Sequence, residues 1–207
     1  MFNKKVFRQF KNEEEVYEWV TDNFGGGTRY IEIYENSSDK SDMANLLCCY
    51  TGNKNNIYRK ILWGCAKELG GEEIENYLKE ISIIPKEICK FELQENIIAY
   101  RYTYKKTLEK GFESLKIEKG ETFTNKMFMS TTLIPGLLKE FFKSRKCDCI
   151  LKLYLPKGTK GVYVSVGKNA LNEQEFSLPP NSTFKLIKRS YSFKYHMPLY
   201  ECELLYQ

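Results

Sequence analysis

The sequence of 207 residues predicts an α+β fold, with helices in its first part and strands in its second. Two observations support this prediction. Between about residues 12 and 81, apolar residues recur every three to four positions, which is the spacing of amphipathic helices. From residue 97 onward, short runs of β-branched and aromatic residues alternate with turns that contain glycine and proline. Because helices precede strands instead of alternating with them, the order favours α+β over a parallel βαβ sheet.

Four helices are predicted in the first part. Asn12 and Glu15 form a capping-box pattern that begins a helix over residues 12–24. After a polar loop over residues 35–41, a short helix begins at Asp42, and a third helix follows the turn at residues 50–52. The fourth ends before Pro85. The apolar faces of the first, third and fourth helices are Val16, Trp19, Val20 and Phe24; Ile57, Ile61, Leu62 and Leu69; and Ile74, Tyr77, Leu78 and Ile81. The predicted stops after the first and third helices are Gly25-Gly26-Gly27 and Gly70-Gly71.

Seven strands are predicted in the second part. In the strand over residues 149–155, Ile150, Lys152 and Tyr154 fall on one face and three leucines on the other. Turns are predicted at residues 156–158 and 179–181 because proline, glycine and asparagine cluster there. The other predicted strands are 97–104, 127–133, 161–166, 175–178, 183–188 and 199–206. We expect one domain over 1–207, with a helical layer over 1–95 and a β-rich core over 96–207.

Composition and charge exclude several classes of protein. Hydrophobic residues make up 42% of the chain and aromatic residues 14%, which is enough for a substantial core. The 32 basic and 27 acidic residues leave a net charge of +5, which permits an anionic ligand but does not demand nucleic acid. No apolar run of about 18 residues is found, so no membrane span is predicted. No apolar segment follows the basic N-terminal residues, so no signal peptide is predicted.

The cysteines and the single histidine limit the chemistry. Cys48-Cys49 and Cys147-Asp148-Cys149 are too closely spaced for an ordinary zinc site, so no metal is predicted. We interpret the seven cysteines as small apolar residues in a reducing compartment. His196 is the only histidine, so catalysis is expected to depend on carboxylates.

Two of the predicted strands contain residues suited to binding an anion and orienting a carboxylate. Arg101 lies between two tyrosines, and its fork of donors suits a phosphate or a carboxylate. Ser130, Thr131 and Thr132 offer hydroxyl groups without bulk, and Ser130 could orient a carboxylate by a hydrogen bond. Taken alone, each feature is also typical of ordinary structure, since arginines are mostly exposed and strands favour threonine.

A pair of acids, Glu173 and Glu175, precedes or begins the predicted strand over 175–178. Because side chains alternate faces in a strand, we expect both carboxylates to point the same way and their Cα atoms to lie roughly 6.5 to 7 Å apart. Two carboxylates that close can divide labour, one stabilising a cation and the other accepting a proton. Taken alone, such a pair is more often a solvated strand edge.

In this order, the three features resemble the ADP-ribosyltransferase family of bacterial toxins. They are similar in particular to its arginine-serine-glutamate branch, which includes clostridial binary-toxin enzymes and C3-like exoenzymes. The family pattern is an aromatic-arginine strand, a Ser-Thr-Ser strand and then Glu-x-Glu or Gln-x-Glu. The matching segments are Tyr100-Arg101, Ser130-Thr131-Thr132 and Glu173-Gln174-Glu175, with Thr132 in place of the third serine.

The resemblance extends over residues 42–206, with some departures. Residues 155–163 and 179–187 resemble the family's segments around its proline-lysine-glycine turn and after the catalytic glutamate, and Tyr50-Thr51-Gly52 resembles a turn near its nicotinamide pocket. The family's Ile-Asn pair after that turn is not found, and Ile57-Tyr58 occupies about that place. Leu171 stands where the family usually offers an aromatic residue to protein substrates.

The resemblance implies two mostly antiparallel β-sheets behind N-terminal helices, and a mono-ADP-ribosyltransferase that uses NAD as substrate without a metal. Glu175 would stabilise the positive charge on the ribose, Ser130 would position Glu175, and Glu173 would contact the acceptor. Arg101 would bind the NAD phosphates. The other residues that the resemblance implies for NAD binding are Tyr100, Tyr50, Thr131 and Phe142. For Phe142 and its neighbour Phe141, core packing is the competing interpretation.

The Glu-x-Glu pattern implies that the acceptor is an arginine of a target protein. Transfer to nucleic acid, hydrolysis of NAD and a catalytically silent binding module are the alternatives. The resemblance leaves room for a cognate inhibitor or a delivery partner. We expect action in the cytoplasm of the protein's own cell or of a target cell, either as an intracellular toxin, as a translocated effector or as part of a larger polypeptide.

Overall fold

The computed structural model of the chain describes residues 6–24, 55–62, 64–89, 91–136, 147–164 and 173–207. Four helices lie in these segments: α1 (Glu13–Phe24), α2 (Asn55–Leu62), α3 (Gly71–Ile88) and α4 (Lys105–Phe112). Eight strands lie there too: β1 (Ile97–Thr103), β2 (Thr122–Asn125), β3 (Met129–Thr132), β4 (Cys149–Leu155), β5 (Val162–Val164), β6 (Glu175–Leu178), β7 (Ser182–Ser192) and β8 (Met197–Tyr206). The predicted loop over 35–41, the helix from Asp42, the turn at Tyr50 and the stop at residues 25–27 lie outside the described residues.

Helix α1 begins where the capping pattern predicts it. The Asn12 side chain accepts a hydrogen bond from the Glu15 N–H at 2.9 Å. The Glu15 carboxylate accepts one from the N–H of Lys11 at 2.9 Å, one residue before the usual capping-box donor. Val16 and Trp19 are fully buried on the inner face. The first predicted helix is therefore confirmed, together with its cap.

Helices α2 and α3 end at other residues than predicted. Helix α2 stops at Leu62, so Leu69 is not part of it. The chain leaves α2 through Gly64, which adopts a left-handed conformation with a φ of +66°, the usual glycine stop of a helix. Gly71 begins α3 instead of ending α2, and α3 continues through Pro85 to Ile88. The carbonyl of Pro85 accepts a hydrogen bond from Cys89 at 2.9 Å, so the turn after the proline stays closed.

The strands form one mixed sheet in the order β2-β7-β8-β4-β1-β3-β6-β5. Neighbouring strands are antiparallel except β4 and β8, which are parallel. Strand β1 pairs with β4 at seven positions, from Ile97 to Thr103. Its pairing with β3 has a single register position, where Tyr100 lies opposite Thr132. The α+β class is confirmed. Where two sheets were predicted, the strands of the described segments form one sheet, in which β1 and β3 are joined only by this pair.

Two elements within the β-rich part were not predicted. Helix α4 buries only Leu108 and Phe112, so its apolar spacing is too short to stand out in the sequence. Its start is stabilised by Asp148, whose carboxylate accepts a hydrogen bond from the Lys105 N–H at 2.5 Å. Strand β2 buries only Phe123 among its four residues. Both elements depend on contacts with distant parts of the chain.

Helix α1 packs against β6, the strand that begins with Glu175. Trp19 contacts Phe10 edge to face, with ring centroids 5.2 Å apart, and Phe176 of β6 at 6.3 Å. These three residues belong to the main buried cluster. None of the helices in the described segments is both long enough and apolar enough to cross a membrane.

A short segment before α1 lies beside β1. The Arg8 N–H donates to the Asn96 carbonyl at 2.9 Å, and the Arg8 carbonyl accepts from the Ile98 N–H at 2.9 Å. Arg8 and Ile97 thereby form an isolated parallel bridge. Arg8 also forms an ion pair with Glu95 at 3.1 Å. Because β3 pairs with β1 only at Tyr100, this segment supplies backbone partners to a part of β1 that β3 leaves unpaired.

Candidate active site

The three features that the sequence singles out lie on three neighbouring strands. Strands β1, β3 and β6 are consecutive in the sheet. One register row crosses them, because Tyr100 lies opposite Thr132 and Thr132 lies opposite Glu175. Residues directly opposite each other in antiparallel strands share a face of the sheet. Segments that are far apart in the sequence therefore meet at one place.

Arg101 links β1 to β3 beyond their single register pair. Its Nη1 donates a hydrogen bond to the Ser130 carbonyl at 2.7 Å. Burial raises the pKa of Glu175, and the positive charge of Arg101 opposes that rise, because the guanidinium is near enough to interact with the carboxylate. Arg101, Ser130 and Glu175 therefore lie near one another.

Glu175 begins β6 and is a buried carboxylate, with 7% of its surface exposed. The Ser177 hydroxyl donates to its Oε1 at 2.8 Å, and the Ser130 hydroxyl lies close enough to favour the ionised form of the same carboxyl group. Burial raises the pKa of Glu175, while the two hydroxyl groups and the Arg101 charge oppose this rise without cancelling it. The two serines lie opposite each other in the register, one on β3 and one on β6. The carboxylate is held in a fixed orientation in a poorly hydrated environment.

Glu173 does not lie in a strand, so the predicted alternation of the two acids is wrong. Strand β6 begins at Glu175, and Gln174 has a φ of +46°, in the left-handed region. A left-handed residue turns the chain, so the spacing rule for extended backbone does not apply between the two acids. The Glu173 carbonyl accepts a hydrogen bond from the Thr132 hydroxyl at 2.6 Å. Both acids nevertheless lie at the end of β3, since Thr132 is also opposite Glu175.

The remaining predicted site residues have different positions. Thr131 is buried, and its hydroxyl donates to the Phe176 carbonyl at 2.6 Å, on the other face of β3 from Ser130. The geometry therefore gives its predicted contact with NAD no support. Tyr100 is buried in the register row, and burial raises the pKa of its hydroxyl far above the neutral range. Tyr50, Phe141, Phe142 and Leu171 lie outside the described residues.

Three residues of the site were missed in the sequence: Ser177, Gln174 and Tyr163. The Tyr163 hydroxyl donates to the Gln174 Oε1 at 2.5 Å. Ser177 follows Glu175 by two positions in a strand, so alternation alone could have identified it. Tyr163 lies on β5 and reaches Gln174 only through the fold, so no sequence signal identifies it. Within the described residues, no group of three or more His, Cys, Asp or Glu side chains could hold a metal ion.

Comparison with known proteins identifies the fold. The family model for the ADP-ribosyltransferase exoenzyme matches residues 22–196. C3stau2 from S. aureus, solved with NAD, is 17% identical over 97% of this chain and 99% of that one, with a TM-score of 0.70. Plx2a, an ADP-ribosyltransferase toxin from Paenibacillus larvae, is 16% identical over 97% of this chain and 100% of that one, with a TM-score of 0.71.

A binary toxin component shares the fold as well. BECa, an ADP-ribosylating toxin of C. perfringens solved with NADH, is 22% identical over 96% of this chain and 50% of that one, with a TM-score of 0.71. At these identities the solved structures show likeness of fold alone. A comparison with curated protein sequences finds no match.

The family match covers well over half of the chain and includes all three features of the site, from Arg101 to Glu175. The resemblance predicted from the sequence is confirmed. So is the predicted class of activity, NAD-dependent mono-ADP-ribosyl transfer by a toxin, with NAD as the substrate. The target of such an exoenzyme is a protein in a target cell. The chain belongs to the ADP-ribosyltransferase exoenzyme family.

Proposed function

We propose that the chain transfers ADP-ribose from NAD to an arginine of its target protein, with Glu175 and Glu173 in separate roles. The observation that supports this best is the buried Glu175 carboxylate, which accepts a hydrogen bond from Ser177 and interacts with Ser130 and Arg101. In the reaction, the bond between nicotinamide and ribose breaks, and its electron pair leaves with nicotinamide. The ribose carbon becomes positively charged and forms a new bond to a nitrogen of the acceptor, which loses a proton.

Glu175 stabilises the charge that develops on the ribose. A carboxylate about 4 Å from a unit positive charge contributes about 4 kcal/mol at an effective dielectric constant near 20. This corresponds to roughly a thousandfold in rate. Burial supports the role because it keeps water from screening the interaction, and the hydroxyls of Ser130 and Ser177 keep the carboxylate in place before the charge appears.

Arg101 binds the NAD phosphates. A guanidinium has five N–H donors in a planar fork, so it can hold the Ser130 carbonyl and phosphate oxygens together. Its hydrogen bond to the Ser130 carbonyl fixes the side chain beside β3. The same contact ties the phosphate-binding group to the strand that positions Glu175.

Glu173 acts on the acceptor. A guanidinium is cationic and a poor nucleophile, so a nearby carboxylate both attracts it and accepts the proton that it loses. Glu173 lies next to the catalytic carboxylate but outside β6, with its carbonyl bound to Thr132. In this proposal the carboxylate of Glu173 serves the incoming side chain while Glu175 serves the ribose. We propose the cytoplasm of the target cell as the compartment in which this acceptor is met.

The test measures nicotinamide release and acceptor labelling separately, with labelled NAD. The acceptors are an arginine peptide, a matched asparagine peptide, RNA and water alone. We expect Glu175→Gln to lose both transfer and hydrolysis by about a thousandfold. Glu173→Gln should lose transfer to arginine while it keeps hydrolysis, and Arg101→Ala should mainly raise the KM for NAD.

The control is Glu95→Gln, which removes a carboxylate that is paired with Arg8 away from the site. Its two activities should equal those of the parent. Full activity of Glu175→Gln would overturn the catalytic assignment. Labelling of asparagine or RNA in preference to arginine would overturn the acceptor, and nicotinamide release without any labelled acceptor would make the chain a glycohydrolase. An unchanged KM in Arg101→Ala would remove that residue from the NAD site.

A further inference from the structure

The turn before β6 holds a residue in an uncommon conformation. Gln174 has a φ of +46° and exposes only 1% of its surface. A residue other than glycine in the left-handed region costs on the order of 1 kcal/mol and persists only where its surroundings hold it. Burial of a glutamine also requires partners for its amide group. The left-handed backbone and the burial of Gln174 therefore both depend on contacts from the residues around it.

Neighbouring strands on both sides of β6 hold this turn. From β3, the Thr132 hydroxyl donates to the Glu173 carbonyl at 2.6 Å. Just after β3, the Leu133 N–H donates to the Gln174 carbonyl at 3.0 Å. From β5, the Tyr163 hydroxyl donates to the Gln174 side-chain oxygen at 2.5 Å. The backbone around Gln174 is thus fixed from one side and its side chain from the other.

Tyr163 is suited to hold the side chain of Gln174. It lies in β5 with 3% of its surface exposed. Burial raises the pKa of its hydroxyl well above the neutral range, so the hydroxyl keeps its proton and donates at every working pH. Tyr163 lies opposite Phe176 in the β5–β6 register, and both residues are packed in the main buried cluster, which restricts the ring. The hydrogen bond therefore joins two groups that have little freedom of their own.

We propose that Tyr163 and Gln174 are positioning residues that aim Glu173 at the acceptor. Glu175 is oriented by its own hydroxyl partners, Ser130 and Ser177. Glu173 lies on the other side of the left-handed residue, so the direction of its side chain depends on the turn that Tyr163 holds. The inference rests on the proposed function, in which Glu173 serves the acceptor and Glu175 serves the ribose. The turn thereby sets the fraction of cleaved NAD whose ADP-ribose is transferred to the acceptor instead of to water.

The test is Tyr163→Phe, which removes one hydroxyl and keeps the ring. We expect transfer to the arginine peptide to fall about tenfold, while NAD hydrolysis stays within about twofold of the parent. The matched control is Tyr154→Phe, which removes a hydroxyl that donates to Glu201 at 2.5 Å on a different part of the sheet. Its ratio of transfer to hydrolysis should equal that of the parent. A purely structural role of Tyr163 would lower both activities together.

A second variant keeps the inference testable if Tyr163→Phe folds poorly. Gln174→Gly tolerates the left-handed backbone but has no side chain for Tyr163 to hold, so its ratio of transfer to hydrolysis should fall in the same way. The double variant Glu173→Gln with Tyr163→Phe should lose no more transfer than Glu173→Gln alone, because both changes act through one carboxylate.

The outcomes separate the two levels of the proposal. If Glu173→Gln leaves the ratio unchanged, the role of Glu173 in the proposed function is wrong. If Glu173→Gln lowers the ratio but Tyr163→Phe and Gln174→Gly do not, only the positioning role is overturned. An equal loss of both activities in folded Tyr163→Phe and Gln174→Gly also overturns it.

Discussion

Ser177 and Ser130 approach one carboxylate from two adjacent strands. The Ser177 contact is within β6 itself, between residues two positions apart, whereas the Ser130 contact crosses from β3. Ser177 is buried, so its hydroxyl depends on the carboxylate for a partner that water cannot replace. Hydrogen bonds to a charged acceptor are worth about 1.5 to 3 kcal/mol each, roughly twice those between neutral groups. The two hydroxyl groups therefore limit the rise that burial causes in the pKa of Glu175.

Ser177→Ala should shift the pH dependence of the reaction. The hydroxyl stabilises the ionised carboxylate, so its removal raises the pKa of Glu175 further, and the active form is lost at a higher pH on the acidic side. We expect kcat/KM of the variant, relative to the parent, to fall further at acidic pH than at alkaline pH, where the carboxyl group is ionised in both proteins. The control is Ser182→Ala, which removes a buried hydroxyl that donates to the Pro179 carbonyl at 2.7 Å. A pH profile that does not move would show that Ser177 does not hold the reacting carboxylate.

At the level of elements, β5 approaches β6 through a glycine. A Cβ atom on Gly161 would lie 2.5 Å from the Cε1 atom of the Phe176 ring and 3.0 Å from the Ser177 carbonyl oxygen. No real contact of this kind is so short, so only glycine lets the chain pass there without moving β6. The predicted turn just before it contains Gly158 at a φ of +89°, which only glycine adopts readily. These two glycines allow the segment between β4 and β5 to turn and to pass in close contact with β6.

Gly161→Ala should destabilise the fold and displace Phe176. Overpacking of this kind costs about 1 to 3 kcal/mol, and Tm falls by about 2 to 4 °C for each kcal/mol in a chain of this size. Since Phe176 is the neighbour of Glu175, NAD hydrolysis should fall as well. Gly71→Ala is the control, because a Cβ there meets nothing within 4 Å and the residue begins α3. Thermal unfolding and nicotinamide release measure both effects, and an unchanged Tm would contradict the overpacking.

The elements differ in how far the sequence predicts them. The bounds of β4 and of β6 were predicted because each strand is a short run of strand-forming residues that a proline follows. The turn before β6 was not, since a glutamine is rarely left-handed and its conformation depends on Tyr163, distant in the sequence. Helix α4 was missed because two buried residues are too few for a periodic signal. The three features of the site were recognised as residue types in order, whereas their contacts required the register of β1, β3 and β6.

At the level of the whole molecule, the buried carboxylate of Glu175 lowers the free energy of unfolding. Glu175 is buried and its pKa is raised, so the folded state holds a charge that the unfolded chain would hold at less cost. Below the pKa of glutamate in an unfolded chain, about 4.3, both states bind the proton and the residue costs nothing. As the pH rises, the unfolded chain ionises first, and stability is lost until the pH has passed the raised pKa of the folded state.

Glu175→Gln should therefore stabilise the protein while it abolishes activity. We expect a gain of about 0.5 to 2 kcal/mol at about pH 8, the usual size for removal of a functional strain. The gain should shrink as the pH falls to about 4. Urea unfolding at several pH values measures it. Glu95→Gln, at the exposed ion pair with Arg8, is the control and should change stability by less than about 0.5 kcal/mol. A loss of stability in Glu175→Gln at neutral pH would contradict the direction.

The bridge between Arg8 and Ile97 has a consequence for how the protein behaves in solution. The inner part of β1 has β4 on one side, and on the other side Arg8 occupies the backbone groups that the short β3 does not reach. Without that segment, a stretch of apolar strand would present open N–H and C=O groups to other molecules, which is the usual template for association between copies. Removal of the residues up to and including Arg8 would thus lower solubility more than it lowered catalytic activity.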